Sequence, residues 1–245
     1  MGVIDHLQIE PRQTSIAEKD AKPKKINKEK WAEIDRYIVD LLVSKDPALD
    51  AALQSNKNAG LPAHSVSPNQ GKLLKLLAQS VGARSILEIG TLGGYSTIWL
   101  ARALAPGGRV ITLEANPMHA KMACANVARA GLGDLVDLRL GLALASLPTL
   151  VTEKPFDFIF IDADRENLGS YFQWAVKLSR RGTLIVADHV KRHGAVIKDE
   201  TATTKSLNRF FSLAAAEPKV SMTALQTVGA KGHDGFAVGL VTADP

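Results

Sequence analysis

The chain has little sulfur chemistry to offer. One cysteine, Cys124, stands among 245 residues, so no intramolecular disulfide can form. Its place in a predicted helix suggests a small buried side chain rather than a nucleophile. No apolar run approaches the roughly 18 residues that a membrane span needs, so no span is expected. The first thirty residues lack the apolar core of a secretory leader. His6 stands where a myristoylation signal after Met1-Gly2 wants Ser or Thr. The cytoplasm is therefore the expected compartment. Charge of neither sign dominates: 30 Lys and Arg face 25 Asp and Glu, a formal net charge of +5. That excess favours an anionic partner such as nucleic acid only mildly. Neither an internal repeat nor a low-complexity segment is evident beyond a lysine-rich arm.

What is present is an ordinary globular composition, 46% apolar and 22% charged. Residues 1–27 are polar, with Lys19, Lys22, Lys24 and Lys25, and read as a flexible N-terminal arm. Residues 28–245 read as a single domain, with N-terminal helices over 28–83 and a core over 84–245. Trp31, Ile34, Ile38, Leu41 and Leu42 repeat at helical spacing. Asp46-Pro47 opens a second helix to about Asn56. A loop from His64 to Gly71 precedes a helix from Lys72 to Val81.

From residue 84 the pattern alternates. Strands are predicted at 84–89, 109–114, 135–140, 156–162 and 182–187, with helices at 96–105, 117–130, 142–151 and 167–179. A helix near 203–215 and two strands near 219–228 and 235–242 follow, the pair joined by a loop over 229–235. Alternation of this kind predicts an α/β, Rossmann-like, mostly parallel sheet with helices on both faces. The short last connection makes the final pair an antiparallel C-terminal hairpin.

In such a sheet ligands sit at the carboxyl ends of the strands. Strand 84–89 runs into the glycine-rich stretch Ile86-Leu-Glu-Ile-Gly-Thr-Leu-Gly-Gly-Tyr-Ser-Thr97. Acids end the other strands: Glu114 the second, Asp162 the fourth, Asp188 the fifth, with His189 next to it. Glu114 lies 24 positions after Gly90, where an acid that binds a ribose diol belongs. Leu92 occupies the second glycine position of a nicotinamide fingerprint, so the turn favours a ribose ligand without a pyrophosphate, such as S-adenosylmethionine. Asp162, Asp188 and His189 form a ligand set for a divalent cation (Mg²⁺, Mn²⁺ or Ca²⁺), the imidazole tilting it toward transition metals. Asp164 either adds to this set or caps the next helix.

Read in order, Val66-Ser-Pro-Asn-Gln-Gly71, Leu87-Glu-Ile-Gly90 with Gly94-Tyr-Ser96, Glu114 with Asn116-Pro117, Phe160-Ile-Asp162-Ala-Asp164 and Ala187-Asp188 resemble the cation-dependent, S-adenosylmethionine-dependent O-methyltransferases. That group contains the caffeoyl-CoA and catechol enzymes, and the likeness is strongest to its small bacterial members. The resemblance implies a seven-stranded sheet with a reversed last strand, and a homodimer. It implies that Val66, Glu88, Gly90, Thr91, Gly94 and Ser96 line the cofactor's amino-acid and sulfonium end. Glu114 would bind the ribose, Gly141 and Ala143 would border the adenine, and Asp162, also counted in the cofactor site, would hold the cation with Asp188.

Two departures bear on catalysis. The group usually has Asn after its second metal Asp, where this chain has His189. It usually has Lys, a candidate base, after Asp-Ala-Asp, where this chain has Arg165. An arginine side chain keeps its proton at working pH, so it cannot take one from a substrate; it can orient an acceptor or stabilise a phenolate. The catalytic set expected is therefore Asp162, Arg165 and His189, acting on a small hydroxylated acceptor. Methylation of a hydroxylated tRNA base is the alternative, with Lys191-Arg192-His193 and the basic arm as its motive. A binding protein that has lost catalysis is the other. His64 and His193 either border the cleft or, as the favoured reading, are surface histidines.

Overall fold

The apolar segments from residue 84 onward become the strands of one seven-stranded sheet in a computed structural model, which describes residues 28–153, 155–190 and 201–244. Three helices come first: α1 (Lys28–Leu42), α2 (Pro47–Asn58) and α3 (Pro68–Ser80). Then β1 (Ser85–Ile89), α4 (Tyr95–Ala101), β2 (Arg109–Glu114), α5 (Pro117–Arg129), β3 (Val136–Leu140) and α6 (Ala143–Ser146) follow. The chain ends with β4 (Phe156–Ile161), α7 (Leu168–Lys177), β5 (Ser179–Ala187), α8 (Ala202–Ala216), β6 (Val220–Gly229) and β7 (Gly232–Val241). The spatial order is β3-β2-β1-β4-β5-β7-β6, parallel through β5 and antiparallel at β7 and β6.

Side-chain alternation explains why both faces are covered. Leu87 and Ile89 point to the face packed by Phe172 of α7 and Phe210 of α8, whose rings meet edge to face at 5.5 Å. Ile86, Val110 and Phe158 point to the other face, against Leu74, Ile98 and Leu100 of α3 and α4. Central β1 and β4 are buried almost throughout, whereas edge strands β3 and β6 are mostly half-buried or exposed. The order reverses at β1, which sends the chain outward to β2 and β3 and then back across to β4. That switch point opens a crevice between β1 and β4.

Several local expectations are corrected. Helix α3 begins at Pro68, four residues before the predicted Lys72, because Ser67 Oγ caps Gln70 N (3.2 Å) and Pro68 fills the first turn. Gly71 is thus helical, and an added Cβ would meet the Trp99 ring at 2.4 Å. The predicted helix 142–151 is a four-residue α6 followed by a 3₁₀ stretch, Leu147–Thr152, through Pro148. Cys124 lies on α5 but is exposed, not buried, because it falls on the solvent side of that helix. The loop expected over 229–235 is mostly strand: Gly229 pairs with Gly232 and Thr227 with Asp234, and Gly232 turns at φ 101°. Only Ala230 and Lys231 remain unpaired in the turn. The apolar stripe of α1 is not buried among the described residues: Ile34, Leu41 and Leu42 are exposed, and Trp31 and Ile38 half-buried. The N-terminal arm and Lys191-Arg192-His193 lie outside the described residues. No helix among the described residues is long and apolar enough to cross a membrane.

Candidate active site at the switch point

The strands' carboxyl ends surround a cavity of about 780 Å³. Its lining brings together Gly90, Thr91, Ser96, Glu114, Gly141, Ala143, Asp162, Arg165 and His189. Val66, Glu88 and Gly94 are buried behind that wall rather than on it. Asp188 faces a smaller cavity of about 220 Å³ on the far side of His189, which lines both. His64 is exposed and lines the larger cavity; His193 lies outside the described residues.

The glycine-rich turn is built by backbone geometry. Gly90 has φ 96°, and a Cβ there would lie 2.1 Å from the carbonyl oxygen of Asp162. The close approach arises because β1 pairs with β4, with Asp162 N donating to Ile89 O at 2.8 Å. Leu92 also lies in the left-handed region, φ 50°, unusual for a branched side chain. Glu114 holds this strained turn across from β2. Its Oε2 accepts from Leu92 N (2.8 Å) and Thr91 N (3.2 Å), and its Oε1 accepts from Asn116 N (2.8 Å). A carboxylate offers about four acceptor sites, so these three bonds leave capacity for a ligand hydroxyl.

Glu88 is fully buried beneath the turn and serves as its internal support. Hydroxyls of Ser96 (2.6 Å), Thr97 (2.5 Å) and Thr112 (2.7 Å) donate to it. Burial outweighs the pull of the three hydroxyls and, with the charge of Glu114, holds its carboxyl up at about 7.

Asp162, Asp188 and His189 place ligand atoms within 4.8 Å of one another. Asp188 is 6% exposed. Its Oδ1 accepts from His189 N at 2.8 Å, and its buried Oδ2 has no hydrogen-bond partner. His189 Nε2 stands 3.6 Å from Asp162 Oδ1 and 3.8 Å from Asp188 Oδ2. Burial and the Asp188 charge push Asp162 up to about 7. Burial likewise raises Asp188, against the pull of His189 and of the Gln70 side chain that shares its cavity. Burial opposes protonation of His189, but Asp234, Asp188 and Asp162 outweigh it and hold the imidazole above its ordinary value. An orphaned buried oxygen facing a second carboxylate and an imidazole nitrogen is a donor set that fits a divalent cation.

Arg165 lines the cavity, and its Nε is buried without a hydrogen-bond partner. Asp164 turns away from the cation cluster and caps the following turn. Its Oδ1 accepts from Asn167 N (3.1 Å) and Nδ2 (2.8 Å), and its other oxygen accepts from the Tyr171 hydroxyl. Sequence reasoning missed Tyr171, Lys231, His233 and Asp234, all of which line the cavity. The signal for the last three was the Gly229-Ala-Lys-Gly232 spacing, which suits a two-residue hairpin turn and carries β7 back to the rim.

Comparison with known proteins agrees with this geometry. The O-methyltransferase family model matches residues 43–235. A catechol O-methyltransferase of Niastella koreensis is 52% identical over 88% of this chain and 100% of its own length. A catechol O-methyltransferase of Mycobacterium tuberculosis is 50% identical over 85% of this chain and 95% of its own. The crystal structure of an O-methyltransferase from Bacillus cereus in complex with SAH superposes with a TM-score of 0.86 at 56% identity, covering 88% of this chain and 100% of that one. The chain belongs to the O-methyltransferase family, the S-adenosylmethionine-dependent enzymes that its motifs resemble.

Proposed function

We propose that this enzyme moves the methyl group of S-adenosylmethionine to one oxygen of a small acceptor with vicinal hydroxyls, a catechol or a related phenol, aided by a divalent cation. The observation that carries the reading is the unpartnered, buried Asp188 Oδ2 beside Asp162 and His189, at the foot of the glycine turn. The relatives named as catechol O-methyltransferases support the acceptor class.

The roles of the side chains follow from where they stand. Gly90 lets the backbone pass close to the donor, and Glu114 faces the cavity with an oxygen able to take ribose hydroxyls. Gly141 and Ala143 border the far end, where the adenine would lie. Asp162, Asp188 and His189 would hold the cation. A bound cation lowers the pKa of a hydroxyl that touches it and fixes the pose of a vicinal pair. Arg165 lines the cavity and brings a permanent positive charge that can orient the acceptor or stabilise a phenolate. Holding donor and acceptor in line removes about 7–11 kcal/mol of barrier in favourable cases.

The test is acceptor choice. With S-adenosylmethionine and Mg²⁺ or Mn²⁺, catechol is expected to turn over at least about tenfold faster than phenol, since only the former offers two neighbouring oxygens. Equal rates would remove the chelating pose. Methylation of unmodified or hydroxylated tRNA in preference to catechol would replace this reading with the nucleic-acid alternative.

A further inference from the structure

The cluster of acids at the rim contains one carboxylate that neither the glycine turn nor the cation set explains. Asp234 comes from β7, across the sheet from the end of β5, and its Oδ2 lies 2.5 Å from His189 Nδ1. Its other oxygen accepts from Gly235 N at 3.0 Å, which fixes the carboxylate on the strand. The backbone around His189 is held as firmly. His189 sits in the left-handed region at φ 56°, its N–H bonds Asp188 Oδ1 at 2.8 Å, and Val190 N bonds Gly235 O at 3.1 Å.

We propose that Asp234 is a positioning residue that fixes the ring and tautomer of His189, so that Nε2 serves as the third protein ligand of the cation. An imidazole has two nitrogens, and the bond made by one determines what the other presents. With Nδ1–H donating to Asp234, the neutral ring that a cation needs carries its lone pair on Nε2. That atom faces both Asp162 and Asp188, at 3.6 and 3.8 Å. The ring cannot flip without breaking the Asp234 contact. A carboxylate–histidine–metal relay of this kind raises ligand basicity, and losing its carboxylate typically weakens metal affinity by about 10–100-fold. An oriented imidazole also moves the site's preference from Mg²⁺ toward Mn²⁺ and later transition metals.

The inference rests on the cation reading above, and its test separates the two. Mn²⁺ binding to the full chain is measured by calorimetry, with the Co²⁺ visible spectrum as a second readout, for wild type, Asp234→Ala, His189→Asn and the double variant. Asp234→Asn, which keeps side-chain size, is the substitute where the alanine variant does not fold. The expected result is Mn²⁺ affinity weakened about 10–100-fold by Asp234→Ala, an altered Co²⁺ spectrum, and no further loss when the same change is added to His189→Asn. Wild-type affinity in Asp234→Ala, or an additive loss in the double variant, would overturn the positioning role while leaving the cation site standing. Failure of the wild type itself to bind Mn²⁺ would overturn both.

Discussion

Asp188→Asn is expected to lower methyl transfer to a catechol by roughly 10²–10³-fold, equivalent to about 3–4 kcal/mol of transition-state stabilisation. The fold should survive. Asp188 Oδ1 accepts the His189 N–H at 2.8 Å, and an amide oxygen in its place accepts the same bond. The other oxygen, buried and without a partner, becomes an NH₂ group that donates where a cation needs an acceptor. One of two neighbouring buried carboxylates also loses its charge, and that charge is part of what raises Asp162. Removing it relieves repulsion, so the melting temperature should stay level or rise, as is common where a site is held for function rather than stability. Steady-state turnover and thermal melting on the same preparation check both halves. Turnover within twofold of wild type would show that this oxygen is not a ligand.

The second large effect is expected at the donor end. Glu114→Ala should weaken S-adenosylmethionine binding by roughly 100-fold, about 3 kcal/mol, the scale of losing hydrogen bonds to a buried charged group. Two losses combine. The carboxylate proposed to take the ribose hydroxyls disappears, and so do the anchors on Leu92 N (2.8 Å) and Thr91 N (3.2 Å). Leu92 then has to keep φ at 50° without its tether, and the turn no longer waits in a binding shape. Isothermal titration of the donor, in the absence of acceptor, measures the change. A loss of catalysis with donor affinity intact would place the role of Glu114 elsewhere.

Much of this arrangement is legible in the sequence. Short apolar runs ended by Glu114, Asp162 and Asp188 announce strands whose carboxyl ends gather charge, because a parallel sheet directs all of its strand ends to one rim. Gly90 is legible as a turn residue that lets the backbone pass close to a ligand, but not as the point where a Cβ would meet the Asp162 carbonyl. Less visible was anything that depends on pairing between distant segments. The bond from His189 to Asp234 joins residues 45 apart in sequence, and it exists only because β7 runs antiparallel beside β5. Reading 229–235 as a loop hid Asp234 from that partnership. Glu88 illustrates a different limit. A motif places it beside the cofactor, while three hydroxyl donors draw it under the turn and off the cavity wall. Cys124 shows that helical periodicity alone does not tell which side faces solvent when the neighbouring residues are mostly alanine.

The carboxylates at the ends of β4 and β5, with His189, are proposed to make a working cation centre beside a methyl-donor turn. Its most direct test is methyl transfer from S-adenosylmethionine to catechol by wild-type enzyme stripped of divalent ions with a chelator, then titrated with Mg²⁺ or Mn²⁺. Turnover is expected to fall by about 10²-fold or more on stripping, with recovery on adding either ion and at lower concentration for Mn²⁺. Turnover unchanged by thorough chelation would contradict it.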